Sequence, residues 1–269
     1  MSFYTGGGIA ARMLSRHSGM KRPTTITPLG LVGDADGHRL NVADWGLDKP
    51  AATARRPYTI AVAGTAMNAG KTTTAANLIK GLVKTGLKVG AAKVTGTGAG
   101  GDRWTLVDAG AHSVLDFTDI GYASTYRVPA PQVENIMAQL CGHLAAEAAE
   151  FIVLEVADGL FQDETARLLT SPTFANWIDG IIFAAGDALG ALAGGEWLRR
   201  RHLPVQAVSG LLTASPLAIR EAAATGLPVL SQRQLLQGGW RPDQAAGGGR
   251  AENWQALWDD ASSAVMGLG

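Results

Sequence analysis

The 269 residues carry 23 Lys+Arg against 23 Asp+Glu, so net charge gives no basis for nucleic-acid binding by bulk attraction. At 46% hydrophobic and 17% charged, against ~25% charged in average domains, the composition is that of a well-buried globular chain, long enough for one large α/β domain with a small extension. A single cysteine, Cys141, excludes a disulfide framework and a cysteine zinc site, and makes a reducing, cytoplasmic setting the expectation.

Residues 1–57 stand apart. They hold eight Lys+Arg and four Asp+Glu, a surplus of +4 that the rest of the chain offsets with −4. Segments 26–32 and 38–42 flank Gly33-Asp-Ala-Asp-Gly37, the pattern of a β-hairpin turning at Asp36-Gly37. An isolated hairpin is marginal, so it is expected to pack on the body. Segment 49–57, rich in Ala, Arg and Pro, reads as a linker. The expected division is an N-terminal β appendage and linker over 1–57 and a main domain over 58–269.

From residue 58 strands alternate with helices. Apolar runs at 58–63, 88–94, 112–117, 151–156, 179–184, 204–209 and 228–230 read as strands. A helix over 72–85 has Ala75, Leu78, Ile79, Leu82 and Val83 on one stripe, and Gly86 stands where a helix stop belongs. A second, over 132–149 behind Pro131, turns Ile136, Met137, Leu140, Cys141 and Leu144 inward. Further helices fall near 188–202 and 216–225, and a last one carries Trp254, Leu257, Trp258, Ala261 and Val265. Such alternation predicts a three-layer α/β fold with a mostly parallel sheet covered on both faces. The longest apolar stretch, 180–195, is broken by Asp187, too short for a membrane span.

The most informative segment is Gly64-Thr-Ala-Met-Asn-Ala-Gly70-Lys71-Thr72-Thr73, between a buried strand and a helix. In that context it predicts a phosphate-binding loop. Unpaired amides of Gly64, Thr65, Asn68, Ala69, Gly70 and the helix start at Thr72 and Thr73 would cradle phosphate oxygens. Lys71 would reach the β- and γ-phosphates, and the Thr72 hydroxyl would bind Mg²⁺. The first glycine precedes Gly70 by six positions where the strict pattern has five. Ala66 occupies the place of the second lysine of partition-type ATPases, and no Asn-Lys-x-Asp guanine motif occurs in the chain. Both absences favour a small-molecule enzyme.

The loop's spacing resembles dethiobiotin synthetase and related ATP-dependent amidation enzymes of the SIMIBI group of P-loop NTPases. Lys93-Val-Thr-Gly-Thr-Gly98 stands where that family has its lysine after the second strand. Phe151-Ile-Val-Leu-Glu155-Val-Ala-Asp158-Gly159 stands where it has an apolar strand ending Glu-Gly-Ala-Gly-Gly. The likeness covers 58–160, extends to 179–230 as pattern only, and does not reach 1–57. Two of the family's glycines are missing after Glu155, and Gly210 stands at the place of its adenine-side Asn. The resemblance implies ATP with Mg²⁺, GTP remaining open, and phosphorylation or activation of a small carboxylate- or carbamate-like substrate. A homodimer is compatible with it. The alternative from another class is a nucleotide-dependent switch or chaperone-type NTPase acting through a protein partner docked on 1–57.

Other residues fall into place around the loop. Glu155 and Asp158 close a buried strand facing it, so either is a candidate Mg²⁺ ligand, Asp158 also being a candidate helix N-cap. Lys93 ends a strand with only loop beyond and is expected to face Lys71 across the γ-phosphate. Gly96-Thr-Gly98-Ala-Gly100-Gly101 mimics a dinucleotide fingerprint, with Asp116 as its ribose contact. A mobile loop beside the γ-phosphate is preferred, with Thr95, Thr97, Asp102 and Arg103 as candidate substrate contacts. Arg199-Arg-Arg-His202 reads as cations completing a helix C-terminus.

Overall fold

A computed structural model describes residues 2, 3, 10, 11, 13, 18, 24–53, 56–98 and 100–240. The predicted helix carrying Trp254 and Trp258 lies outside the described residues. Two antiparallel two-residue strands, β1 (Ser2–Phe3) and β2 (Ala10–Ala11), precede the main sheet. That sheet has six strands, all parallel, in the order β5-β4-β6-β3-β7-β8: β3 (Tyr58–Gly64), β4 (Val89–Lys93), β5 (Ser113–Asp116), β6 (Phe151–Glu155), β7 (Gly180–Ala184) and β8 (Val205–Ser209).

Strand alternation sorts the core into two layers. Ile60 and Val62 of β3 face α1 (Lys71–Lys84), α2 (Gly100–Asp108) and α8 (Gln232–Leu236), meeting Leu78, Ile79, Leu106 and Leu235. Ala61 and Ala63 face the other side, where α3 (Ala130–Ala146), α4 (Asp163–Leu169), α5 (Pro172–Trp177), α6 (Ala188–Arg199) and α7 (Pro216–Ala222) pack. Small residues at 61 and 63 leave room for Ile136, Leu140, Phe174 and Trp177 in this thicker layer. The architecture is the expected three-layer α/β P-loop fold.

The chain leaves β3 on one side to build β4 and β5, returns through β6 beside β3, and crosses to β7 and β8 on the other. Strand order therefore reverses around β3, where open parallel sheets form their ligand crevice at the carboxyl ends of the strands. The run at 228–230 forms only a single bridge, Val208 with Val229, because the chain turns directly into α8. α4 starts at Asp163, with Gln162 and not Asp158 as its N-cap.

The turn at 33–38 closes, with the Asp34 amide on the His38 carbonyl at 2.9 Å and the Leu40 amide on Val32 at 3.0 Å, but 26–32 and 38–42 do not form the expected strands: one antiparallel bridge, Gly33 with Arg39, is all the pairing between them among the described residues. Its apolar residues do not pack on the body, Leu29 being fully exposed. The following segment makes the contact: the Leu47 amide donates to the Asp119 carbonyl at 2.7 Å, and His143 Nε2 donates to the Asp48 carbonyl at 2.9 Å. Arg56 then reaches the Asp179 carboxylate and the Trp177 carbonyl just before β3. Among the described residues no helix is long and apolar enough to cross a membrane.

Candidate functional site

The segment 64–70 turns from β3 into α1 around left-handed residues at Asn68 and Gly70, with φ of 65° and 93°. A glycine is needed at 70, because a Cβ there would meet the backbone of Gly210 and Leu211 at 3.1–3.2 Å. α1 begins at Lys71 with no side-chain cap, so its first amides stay directed at the loop. The Lys71 side chain is buried and folds back so that Nζ donates to the Ala66 carbonyl at 2.9 Å. Burial pushes its ammonium below the ordinary lysine range, while Glu155 and Asp158 pull it back up.

Thr72 donates its hydroxyl to Glu155 Oε1 at 2.8 Å across the sheet edge. Glu155 is 3% exposed, and its Oε2 is buried without a hydrogen-bond partner. Burial raises its carboxyl above the usual range; the Lys93 ammonium opposes that shift. A buried carboxylate oxygen lacking a donor costs free energy, and a divalent cation between it and the Thr72 hydroxyl would satisfy both. The donor set is therefore suited to Mg²⁺.

Lys93 closes β4, also buried, and forms an ion pair with Asp102 at the start of α2. The other Asp102 oxygen lies 3.5 Å from the Thr72 hydroxyl. Asp102 thus bridges Lys93 and the Thr72 hydroxyl. The neighbouring candidates separate. Thr97 lines the cleft, whereas Thr95 is buried and bonds the Ala157 carbonyl. Arg103 turns away to Asp119 at 2.7 Å, and Asp116 bonds Thr118, so the dinucleotide arrangement does not form.

These groups enclose a cleft of about 770 Å³ lined by Asn68, Gly70, Lys71, Thr72, Thr73, Lys93, Asp102, Glu155 and Asp158. Gly64, Thr65 and Ala69 do not line it, and the amides of Thr65 and Ala69 are not unpaired as expected: the Thr65 amide donates to the Ala184 carbonyl at 3.0 Å, tying the loop to β7, and the Ala69 amide donates to the Ala66 carbonyl at 3.3 Å within the turn. The cleft extends past Lys93 to Ser124, Thr125, Tyr126 and Gln162, none of which sequence reasoning singled out. Thr125 is buried and accepts the Gly96 amide at 2.8 Å, fixing the loop after β4. No local pattern marks these residues, since they meet the loop only through folding across 29 positions.

The fold and the strand–loop–helix at 58–84 define the class: an α/β P-loop fold with its phosphate loop at the topological switch point. No protein-family model matches the chain, and neither does any curated protein sequence. Solved structures do resemble it. One is the 54 kDa signal recognition particle protein of Aeropyrum pernix K1 in complex with GDP, at 18% identity and TM-score 0.47 over 80% of this chain and 50% of that one. Another is the signal recognition particle receptor FtsY of Elizabethkingia anophelis, at 17% identity and TM-score 0.42 over 74% and 58%. The cell division protein FtsY of Thermotoga maritima matches at 15% identity and TM-score 0.47 over 81% and 74%. The chain spans about half the length of the first of these.

Proposed function

We propose that the chain is a Mg²⁺-dependent P-loop NTPase of the SIMIBI group, binding a nucleoside triphosphate in the cleft and hydrolysing its γ-phosphate. One observation carries the reading: the Thr72 hydroxyl joined to a buried Glu155 whose second oxygen lacks a donor, directly behind a loop whose Lys71 caps its own carbonyl. In the bound state the loop amides and Lys71 would hold the phosphates. Thr72 and Glu155 would hold Mg²⁺, with Asp102 and Asp158 in the same cleft. The metal supplies charge neutralisation on the phosphoryl oxygens. Lys71→Ala should weaken Mg²⁺-nucleotide binding by ~10- to 150-fold, from ~1.5–3 kcal/mol for one charge-assisted contact. Calorimetry returning equal dissociation constants for the variant and the wild type would remove the reading.

The use made of hydrolysis is carried by α2. A γ-phosphate offers Lys93 a stronger anion than Asp102, and frees Asp102 for the cation. The ion pair that pins α2 would then open, moving exposed Trp104 and Val107. This supports a nucleotide-dependent switch that presents α2 to a protein partner. The second reading, ATP-dependent phosphorylation or activation of a small carboxylate- or carbamate-like substrate, is favoured by the cleft continuing past Lys93 to Thr97, Ser124 and Tyr126. Steady-state hydrolysis separates them: a metabolite that stimulates turnover supports the enzyme, and stimulation only by protein supports the switch.

A further inference from the structure

Residues 43–50 run over the outside of the domain as a strap seated on two elements. At one end the Leu47 amide donates to the Asp119 carbonyl at 2.7 Å, in the turn that follows β5. Two glycines permit that approach. A Cβ on Gly46 would stand 3.1 Å from the Ile120 carbonyl oxygen, and one on Gly121 would stand 2.9 Å from the Ala43 Cα. At the other end the Asp48 carbonyl accepts His143 of α3 at 2.9 Å, and Pro50 lies so close that a Cβ on Gly142 would meet its ring at 2.6 Å.

The turn beneath the strap is also tied to the phosphate end of the cleft. α2 makes this tie with consecutive residues of its first turn. Asp102 is held in the cleft by Lys93, while Arg103 pairs at 2.7 Å with the carboxylate of Asp119, the residue whose carbonyl seats Leu47. That carboxylate also accepts the Asp116 amide at 2.8 Å, so Asp119 is fixed on both sides. The loop after β4 reaches the same region. Gly96 packs on Lys93, where a Cβ would stand 3.1 Å from Cε, and its amide donates to the Thr125 hydroxyl at 2.8 Å. Residues of one helical turn share a hydrogen-bonded backbone and move together, so Asp102 cannot leave Lys93 without loading the Arg103–Asp119 pair.

We propose that the strap is controlled by the nucleotide: it is seated while Lys93 holds Asp102, and it loosens when a γ-phosphate takes Lys93 and α2 shifts. A diphosphate leaves the Lys93–Asp102 pair closed and the strap in place. Arg103 is the positioning residue that joins the two sites. Coupling between sites is reciprocal, so a strap pushed off its seat raises affinity for triphosphate over diphosphate, up to the factor by which triphosphate loosens the strap. The inference deepens the nucleotide-switch reading and rests on it.

The test is hydrogen exchange at the Leu47 amide of the full chain, with Mg²⁺ and either a non-hydrolysable triphosphate analogue or the diphosphate. Exchange should be about fivefold faster or more with the triphosphate. In Arg103→Gln the two nucleotides should give equal rates, while the α3 amides stay protected in every sample. Equal rates in wild type, or a difference that survives in Arg103→Gln, overturns the proposal. Calorimetry supplies the reciprocal readout. Gly142→Leu crowds Pro50 with a residue that suits a helix and lies outside the cleft, so it should raise the triphosphate-to-diphosphate affinity ratio several-fold. An unchanged ratio, with Leu47 exchange showing the strap displaced, also overturns it. One arm needs no nucleotide: Lys93→Ala frees Asp102 and should speed Leu47 exchange, and adding Arg103→Gln should cancel that response. A triphosphate that fails to bind wild type condemns the P-loop reading separately, because this arm still decides whether the cleft controls the strap.

Discussion

Lys93 and Glu155 are charged groups buried at strand ends, where an uncompensated charge is costly and a role in charge handling is the economical explanation. Lys93 already holds a carboxylate, so its ammonium is positioned to exchange Asp102 for a phosphoryl oxygen. A contact that strengthens as charge develops acts on turnover more than on binding. Lys93→Ala should therefore leave nucleotide affinity within a few-fold while lowering single-turnover hydrolysis by ~10²–10³. Unchanged hydrolysis would strike Lys93 from the site. Glu155 carries a pH signature. Its folded-state carboxyl is raised by burial, so its contribution to stability without metal is present below the ordinary value of 4.5 and lost as pH rises through the raised value. Mg²⁺ binds only the carboxylate. The thermal shift produced by Mg²⁺-nucleotide should thus grow as pH rises from the ordinary value of 4.5 through the raised one. In Glu155→Gln the growth should flatten; the same slope in both proteins would take Glu155 out of the cation site.

At the scale of elements, the loop after β8 acts as a buttress for the phosphate loop. Gly210 has φ 99°, and a Cβ there would stand 2.5 Å from the Ala69 carbonyl and 2.6 Å from the Ala185 amide nitrogen. Gly210→Ala should cost ~1–3 kcal/mol or more and lower nucleotide affinity too, because the displaced Ala69 belongs to the loop. Gly226→Ala is the control. It shares a left-handed φ of 67°, but nothing lies within 4 Å, so it should cost only ~1 kcal/mol and leave nucleotide binding unchanged. Equal losses in the two variants, by thermal denaturation and calorimetry, would mean that backbone conformation rather than crowding matters at 210. Position 210 is thereby closed against the phosphate loop.

For the whole molecule, Arg56 ties the segment before β3 to the start of the neighbouring β7 by pairing with Asp179, which also accepts the Thr59 amide at 2.7 Å. Both partners are largely buried, so Arg56→Met should destabilise the chain by ~2–4 kcal/mol, read as a lowered denaturation midpoint with nucleotide affinity retained in the folded fraction. A loss of only a few tenths would show that water replaces the pair.

What the amino-acid sequence determined by itself is local in origin. Runs of apolar residues specify β3, β4, β6, β7 and β8; the stripe through Leu78, Ile79 and Leu82 specifies α1; and the Gly70-Lys71-Thr72 turn between them announces the phosphate loop. Each depends on neighbours within a few positions, so periodicity and backbone chemistry suffice. Tertiary structure alone decided which distant groups meet there. β6 inserts between β4 and β3, and this carries Glu155 to Thr72 across 83 positions and aligns it with Lys93. The short α2 brings Asp102 onto Lys93, a pairing that its sequence position beside a glycine run, read as a candidate substrate contact on a mobile loop, does not reveal. Tyr126, Arg127, Gln162 and Glu164 carry no motif. They form a chamber because the turn before α3 and the start of α4 are brought together, so that the buried Glu164 bonds the Arg127 amide across 37 positions. Strand order and burial are properties of the packed core, set by which apolar faces close against each other, and spacing along the chain does not encode them.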